Sequence, residues 1–139
     1  MRKTLLGGLV AAVAVALVAS PAQARPEKIR VASEVSIDDF TLSPDEMFIT
    51  FFGHVESRSV CEGRRRVRLQ QTTDMINVGR DRTNADGRWS ISHPTGKPFP
   101  VRVFEATVEK RVVKKWRNGE VKKIFICRRD VSDPLDLTP

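Results

Sequence analysis

The chain has 139 residues, with 24 Lys and Arg against 17 Asp and Glu and only two cysteines and two histidines. That length supports one hydrophobic core and leaves little for a second. Neither His54 nor His93 lies near Cys61 or Cys127, so a tetrahedral metal site lacks its three or four ligands.

Arg2 and Lys3 precede an apolar run from Leu5 to Val18, followed by Ser20-Pro21-Ala22-Gln23-Ala24. This is the pattern of a secretory signal, expected to be cleaved after Ala24. The run is short of the roughly 20 apolar residues of a spanning helix, and Pro21 breaks it. No Cys follows it to carry a lipid. The expected organisation is a signal peptide over 1–24 and one β-sandwich domain over 25–139, secreted or periplasmic/extracellular, with no transmembrane segment after cleavage. In an exported chain the even pair Cys61 and Cys127 implies a disulfide. It closes a loop of 66 positions, for which chain entropy gives an upper-end stabilisation of about 4 kcal/mol, and is expected to tie an early strand to the last one. Two free thiols or a metal pair are the alternatives. Without the leader the charge is +5, distributed as −3 over 25–59, +3 over 60–109, +8 over 110–129 and −3 from Asp130 onward.

Ile29, Val31, Ser33, Val35 and Ile37 alternate with Arg30, Ala32, Glu34 and Ser36, the period of a half-buried strand, which Asp38-Asp39 is expected to end. Phe40-Thr41-Leu42 reads as a short strand. Ser43-Pro44-Asp45-Glu46 is turn chemistry, although it also has the form of a capping box. Met47 to Ser57 reads as a central strand, with Ile49, Phe51, Gly53 and Val55 on one face and Thr50, His54 and Glu56 on the other. Gly53 inside it implies close approach by another backbone or side chain. Arg64 to Gln71 alternates with Val67 and Leu69 inward, Thr72 to Met75 is a loop, and Ile76, Val78 and Arg80 lead to Thr83. Asp86-Gly87 reads as the centre of a hairpin, with Trp89 as the first large core residue beyond it. His93 to Pro100 holds three prolines and a glycine and is expected to be a surface connection, neither helix nor central strand. Val101 to Val113 resumes a strand pattern, Asn118-Gly119 is a hairpin signal, and Ile124 to Cys127 closes the set. About seven strands with no convincing helix describe an all-β sandwich.

Phe51-x-Gly53-x-Val55-x-Ser57, Cys61, Arg66-x-Arg68 around Val67 and Leu69, Val78-Gly79, Thr83-x-x-Asp86-Gly87-x-Trp89 and Cys127 together resemble the secreted bacterial carboxypeptidase regulatory-like domains. The resemblance spans about Phe48 to Cys127. It implies a transthyretin-like (prealbumin-like) seven-stranded Greek-key sandwich and a non-catalytic accessory, spacer or surface-binding module with no common ligand. The long basic hairpin and the acidic first strand depart from the pattern. An immunoglobulin-like or fibronectin-like sandwich is the alternative, since strand count and spacing do not separate them.

The basic hairpin from Lys110 to Lys123 is the candidate site: Lys110, Arg111, Lys114, Lys115, Trp116, Arg117, Lys122 and Lys123. A two-residue turn at Asn118-Gly119 sets Arg117 opposite Glu120, Trp116 opposite Val121, Lys115 opposite Lys122 and Lys114 opposite Lys123. Opposed cations cost stability unless the tip splays or an anion relieves them. The expected partner is an anionic surface polymer or another extracellular protein, with Trp116 supplying an apolar or stacking contact. The plainer alternative is an edge whose lysines resist aggregation. Arg64-Arg65-Arg66-x-Arg68 is not one stripe, because Arg66 and Arg68 face one way and Arg65 the other, and an ordinary solvated face is expected there. A calcium loop at Asp86-Gly87 fails because Arg82 stands where the first acidic ligand belongs. No Gly-x-Ser-x-Gly or His-Glu-x-x-His occurs, so no catalytic residue, cofactor or metal is expected. Asp38 and Asp39, as strand neighbours, point to opposite faces. The resulting expectation is a non-catalytic secreted module that binds a cell-surface or extracellular partner through the hairpin. The alternatives are a structural or protein-interaction domain with incidental charge and a small secreted enzyme.

Overall fold

The computed structural model describes residues 24–95 and 102–138. The expected leader lies outside them except for Ala24, as do residues 96–101 of the proline-rich connection and the start of the strand after it. The described residues form β1 (Glu27–Val31), β2 (Ser33–Leu42), β3 (Phe48–Ser57), the single-turn helix α1 (Ser59–Glu62), β4 (Arg66–Gln71), β5 (Ile76–Arg82), β6 (Arg88–Pro94), β7 (Val103–Val108), β8 (Arg111–Arg117), β9 (Glu120–Cys127), β10 (Asp130–Val131) and β11 (Leu135–Asp136). The strand count exceeds seven because two expected runs are each divided, β1 from β2 at Ala32 and β7 from β8 at Glu109-Lys110. The acidic tail adds β10 and β11, which pair with β7.

The fold is all-β, in three sheets with orders β2-β3-β6, β10-β7-β4-β5 (β11 also on β7) and β1-β9-β8. Alternation places Ile49, Phe51 and Val55 of β3 and Trp89 and Ile91 of β6 on one inner face, where they meet Val67 and Leu69 of β4 and Phe104, Ala106 and Val108 of β7. The Phe51 and Phe104 rings lie 4.7 Å apart between centroids. Each of the buried Val, Leu, Ile and Phe side chains contributes roughly 1.5–3 kcal/mol. The third sheet closes a smaller core of Val31, Cys61, Phe125 and Cys127, with Ile29, Val60 and Val113 packed on it.

β3 is the central strand of its sheet, and Gly53 explains itself there: a Cβ would collide with the Ser36 carbonyl and the Trp89 indole. Asp38-Asp39 does not end the strand before it. Asp38 is the extra residue of a β-bulge between Ile37↔Gly53 and Asp39↔Phe52, and β2 runs on to Leu42. The added residue resets the alternation, so Phe40 turns inward to lie 6.4 Å from the Phe51 ring.

Asp86-Gly87 is not a hairpin turn. β5 is an edge of the second sheet and β6 an edge of the first, so the connection carries the chain from one sheet to the other. Asn84 organises it: its Oδ1 accepts from Asp86 N and Arg88 N, each at 2.9 Å. Gly87, at φ +79, passes so close to the Val55 carbonyl that a Cβ has no room. His93 and Pro94 also differ from expectation, since they end β6 as strand residues. An edge strand tolerates the missing N–H of a proline.

Candidate functional site

The disulfide forms between Cys61 and Cys127, 66 residues apart with Cα atoms at 5.5 Å. Cys61 sits on α1, not on a strand, so the bridge ties a helical turn to the end of β9. Beside it lies Arg65, whose solvated placement does not hold: it is 0% exposed. Its Nη1 donates to Ser33 Oγ and to the Cys61 carbonyl, both at 2.8 Å. Its Nη2 donates to the carbonyls of Glu109 at 2.9 Å and Arg128 at 2.8 Å. Glu109 and Arg128 flank the two legs of the basic hairpin, so this one guanidinium and the disulfide together fix its base. Burial, and secondarily the charge of Arg111, lower the Arg65 pKa from its ordinary value.

From that base β8 and β9 run to a tight turn, with Asn118 at φ 52 and Gly119 at φ 74, the paired positive angles of a type I′ turn. Arg117 lies opposite Glu120 and Trp116 opposite Val121, as the turn requires. The next two expected pairs are wrong, because the register shifts between Lys115 and Trp116. Lys115 faces Lys123, Lys114 faces Ile124, and Lys122 is the bulged residue. Lys122 Nζ donates to Glu120 at 2.7 Å, and that bond holds the Glu120 carboxyl below the usual range. One opposed cation pair therefore remains where two were expected, with Glu27 of β1 in the same row beside Lys123.

The expected site residues divide into three places. Lys115, Trp116, Arg117, Lys122 and Lys123 surround a shallow depression at the tip. Lys114 lies on the opposite face from Lys115, alongside Val112 by alternation. Lys110 and Arg111 lie at the foot, in a cleft of about 270 Å³ shared with Arg64, Arg66, Arg82 and Glu109. Arg111 Nη1 donates to the Gly63 carbonyl at 2.5 Å, which holds it against that foot. Trp116 is 65% exposed. Among the described residues Lys122 is the one hairpin cation within 4.0 Å of a carboxylate.

Of the partners at the foot, Arg82 escaped sequence reasoning, while Arg64 and Arg66 were assigned to an ordinary solvated face. The available signal was the β4–β5 register, which sets Arg66 opposite Arg82 and Arg68 opposite Arg80. It becomes readable only once the loop from Thr72 to Met75 fixes that pairing.

Elsewhere, the Asp38 bulge brings Asp38, Ser36 and His54 together on the outer face of the first sheet. His54 Nδ1 lies 2.6 Å from Asp38 Oδ2 and 3.0 Å from Ser36 Oγ, and Ser36 Oγ donates to Asp38 Oδ1 at 2.7 Å. Serine and aspartate thus meet the same ring nitrogen, whereas a nucleophile–base–acid relay requires opposite nitrogens. Partial burial raises the Asp38 pKa, but bonds from His54 and Ser36 and the charges of His54 and Arg88 outweigh it, leaving the carboxyl below its ordinary value. Among the described residues no cluster of three or more His, Cys, Asp or Glu side chains is arranged to hold a metal ion. No helix among them is long and apolar enough to cross a membrane.

Compared with known protein families, curated proteins and solved structures, the chain finds no match.

Proposed function

We infer that the protein is an exported, non-catalytic β-sandwich module that binds an anionic cell-surface or extracellular partner through the β8–β9 hairpin. The observation that carries this reading is Lys115 opposed to Lys123 on an exposed tip beside Trp116, above a base anchored by Arg65 and the disulfide. A splayed, mobile ribbon would relieve the repulsion by moving apart; an anchored one relieves it by binding an anion. The disulfide supports export, since such bonds persist in oxidising compartments. The geometry of Ser36, Asp38 and His54 gives an enzyme reading no support.

Of the two sandwich types, the strand orders favour the immunoglobulin-like or fibronectin-like alternative. β2-β3-β6 beside β10-β7-β4-β5 corresponds to the partition A-B-E beside G-F-C-C′. The basic hairpin then occupies the F–G position, at the end of the sandwich where immunoglobulin variable domains carry binding loops. The motif residues that carry the transthyretin-like resemblance, Gly53, Val67, Leu69 and Trp89 among them, serve as close-approach and core positions that either sandwich needs.

The test is retention on an anionic matrix. The protein is expected to elute at a salt concentration that falls sharply when Lys114, Lys115, Lys122 and Lys123 are all changed to Gln, by the screening and counterion arguments. Retention that ignores salt or survives the substitutions removes the hairpin from the site. A protein-interaction surface is the second reading, and the observation that favours it is Phe48 and Phe52, 47% and 40% exposed on the outer face of β3.

A further inference from the structure

The cleft at the foot of the hairpin holds charges that the fold leaves unbalanced. Five cations line it with one carboxylate, Glu109, which lies 3.6 Å from Arg66. Arg66 and Arg82 stand directly opposite each other across β4 and β5, and Arg68 and Arg80 repeat the opposition one step along. Each like-charged pair destabilises the sheet. Arg111 cannot swing clear, because it is bonded to the Gly63 carbonyl. Guanidinium groups held as fixed forks are the donors that match tetrahedral oxyanions in two-pronged fashion.

This cleft is also continuous with the hairpin. Arg64 and Arg111 line it and equally line the neighbouring depression that ends at Lys115, and Lys115 in turn borders the depression at the tip. One path therefore leads from Lys115, just below Trp116 at the tip, down the face of β8 that carries Val113 and Arg111 to the outer face of β4 and β5. Six strand steps separate Arg117 from Arg111, about 20 Å.

We propose that this path is a docking track for a linear, phosphate-bearing polyanion, whose chain meets the lysines of the tip and seats a phosphate among Arg64, Arg82, Lys110 and Arg111 at the foot. The proposal rests on the hairpin reading above and specifies its partner. A lipid surface meeting Trp116 at the tip stops short of a cleft about 20 Å behind it, whereas a flexible chain reaches both.

The experiment uses the disulfide-bonded protein and three probes: long-chain inorganic polyphosphate, tripolyphosphate and phosphatidylglycerol vesicles. Long polyphosphate is expected to bind at least ~10-fold more tightly than tripolyphosphate through linked engagement of tip and foot. The double variant R82Q/K110Q, which changes two exposed side chains, is expected to weaken long-chain binding ~10-fold and to flatten its salt slope by about two. A control that removes the same charge away from the track, K28Q/R30Q on β1, is expected to change affinity less than ~2-fold, as a screened long-range effect. Equal affinity for short and long chains, or equal losses in R82Q/K110Q and the control, overturns the track. So does vesicle binding that R82Q/K110Q leaves intact while polyphosphate is ignored. Loss confined to the hairpin lysine variant overturns the track and leaves the hairpin reading standing; loss confined to R82Q/K110Q overturns both.

Discussion

Arg65 stands between Arg64 and Arg66 in a basic run, yet it is fully buried while its neighbours are exposed. Alternation correctly turned it away from Arg66 and Arg68; it gave no hint that the side chain would be enclosed. The acceptors are three backbone carbonyls and one hydroxyl, all but the Cys61 carbonyl brought from distant parts of the chain, and carbonyls leave no mark in a sequence. Arg65→Met removes the donors and leaves those acceptors unsatisfied, at about 1–3 kcal/mol for each one that water cannot reach. Removal of a desolvated charge offsets part of that. The expected net loss is about 3 kcal/mol, read as a lower denaturation midpoint at unchanged slope. Asp38 gives a smaller effect with a definite sign. Its folded pKa is lowered, so its contribution is complete above the unfolded carboxyl value and is lost as pH falls through the folded value. Wild type is therefore expected to exceed Asp38→Asn in stability at neutral pH by less than about 0.5 kcal/mol, since both partners are partly exposed. The gap is expected to close in urea titrations at pH below the ordinary Asp value.

At the scale of elements, two similar turn signals had different outcomes. Asn118-Gly119 places both residues at positive φ and closes a hairpin; at the other turn only Gly87 does so, and β6 pairs with β3, not β5. Local chemistry says where a chain turns. Which strand receives the next segment is decided by packing, here by the fit of Trp89 over Gly53. The bulges at Asp38 and Lys122 were illegible for a related reason: alternation is a local period, and one inserted residue shifts every later side chain to the other face. Asp38 and Lys122 each did this, which is why Phe40 packs, half-buried, against the core and Lys115 meets Lys123. The strands that were legible, β3, β4 and β6, are those that set large apolar residues at alternate positions of the inner face, interrupted by Gly53 in β3 and by Gln71 at the end of β4. Gly53→Ala tests the fit directly. With a backbone carbonyl and a buried indole both in the way, overpacking is expected to cost about 3 kcal/mol or more, measured by thermal or denaturant unfolding. A change under about 0.5 kcal/mol would show that the first two sheets yield more than a packed core does.

Across the whole molecule the charges are segregated. The hairpin and its foot are basic, while Glu34, Glu56, Asp130 and Asp133 line a groove of about 610 Å³ beside β2. Glu34 lies directly opposite Glu56, and Asp130 accepts a bond from Val35 N at 2.9 Å. On the proposed reading, such an arrangement would orient an approaching polyanion toward the hairpin before contact, and salt would weaken that steering. The Arg65 clasp has a different consequence, in time. Its partners at Ser33, Glu109 and Arg128 lie 32, 44 and 63 residues away in sequence. The Glu109 bond needs only the β4–β7 pairing within the second sheet, the Arg128 bond needs the chain beyond β9 as well, and the Ser33 bond needs the first sheet set against the second, so the full set closes only in the assembled sandwich. Interactions made after the rate-limiting step slow unfolding without speeding folding. To the extent that the clasp closes after that step, it is expected to act as a latch, lengthening the time the hairpin base stays shut more than it shortens folding.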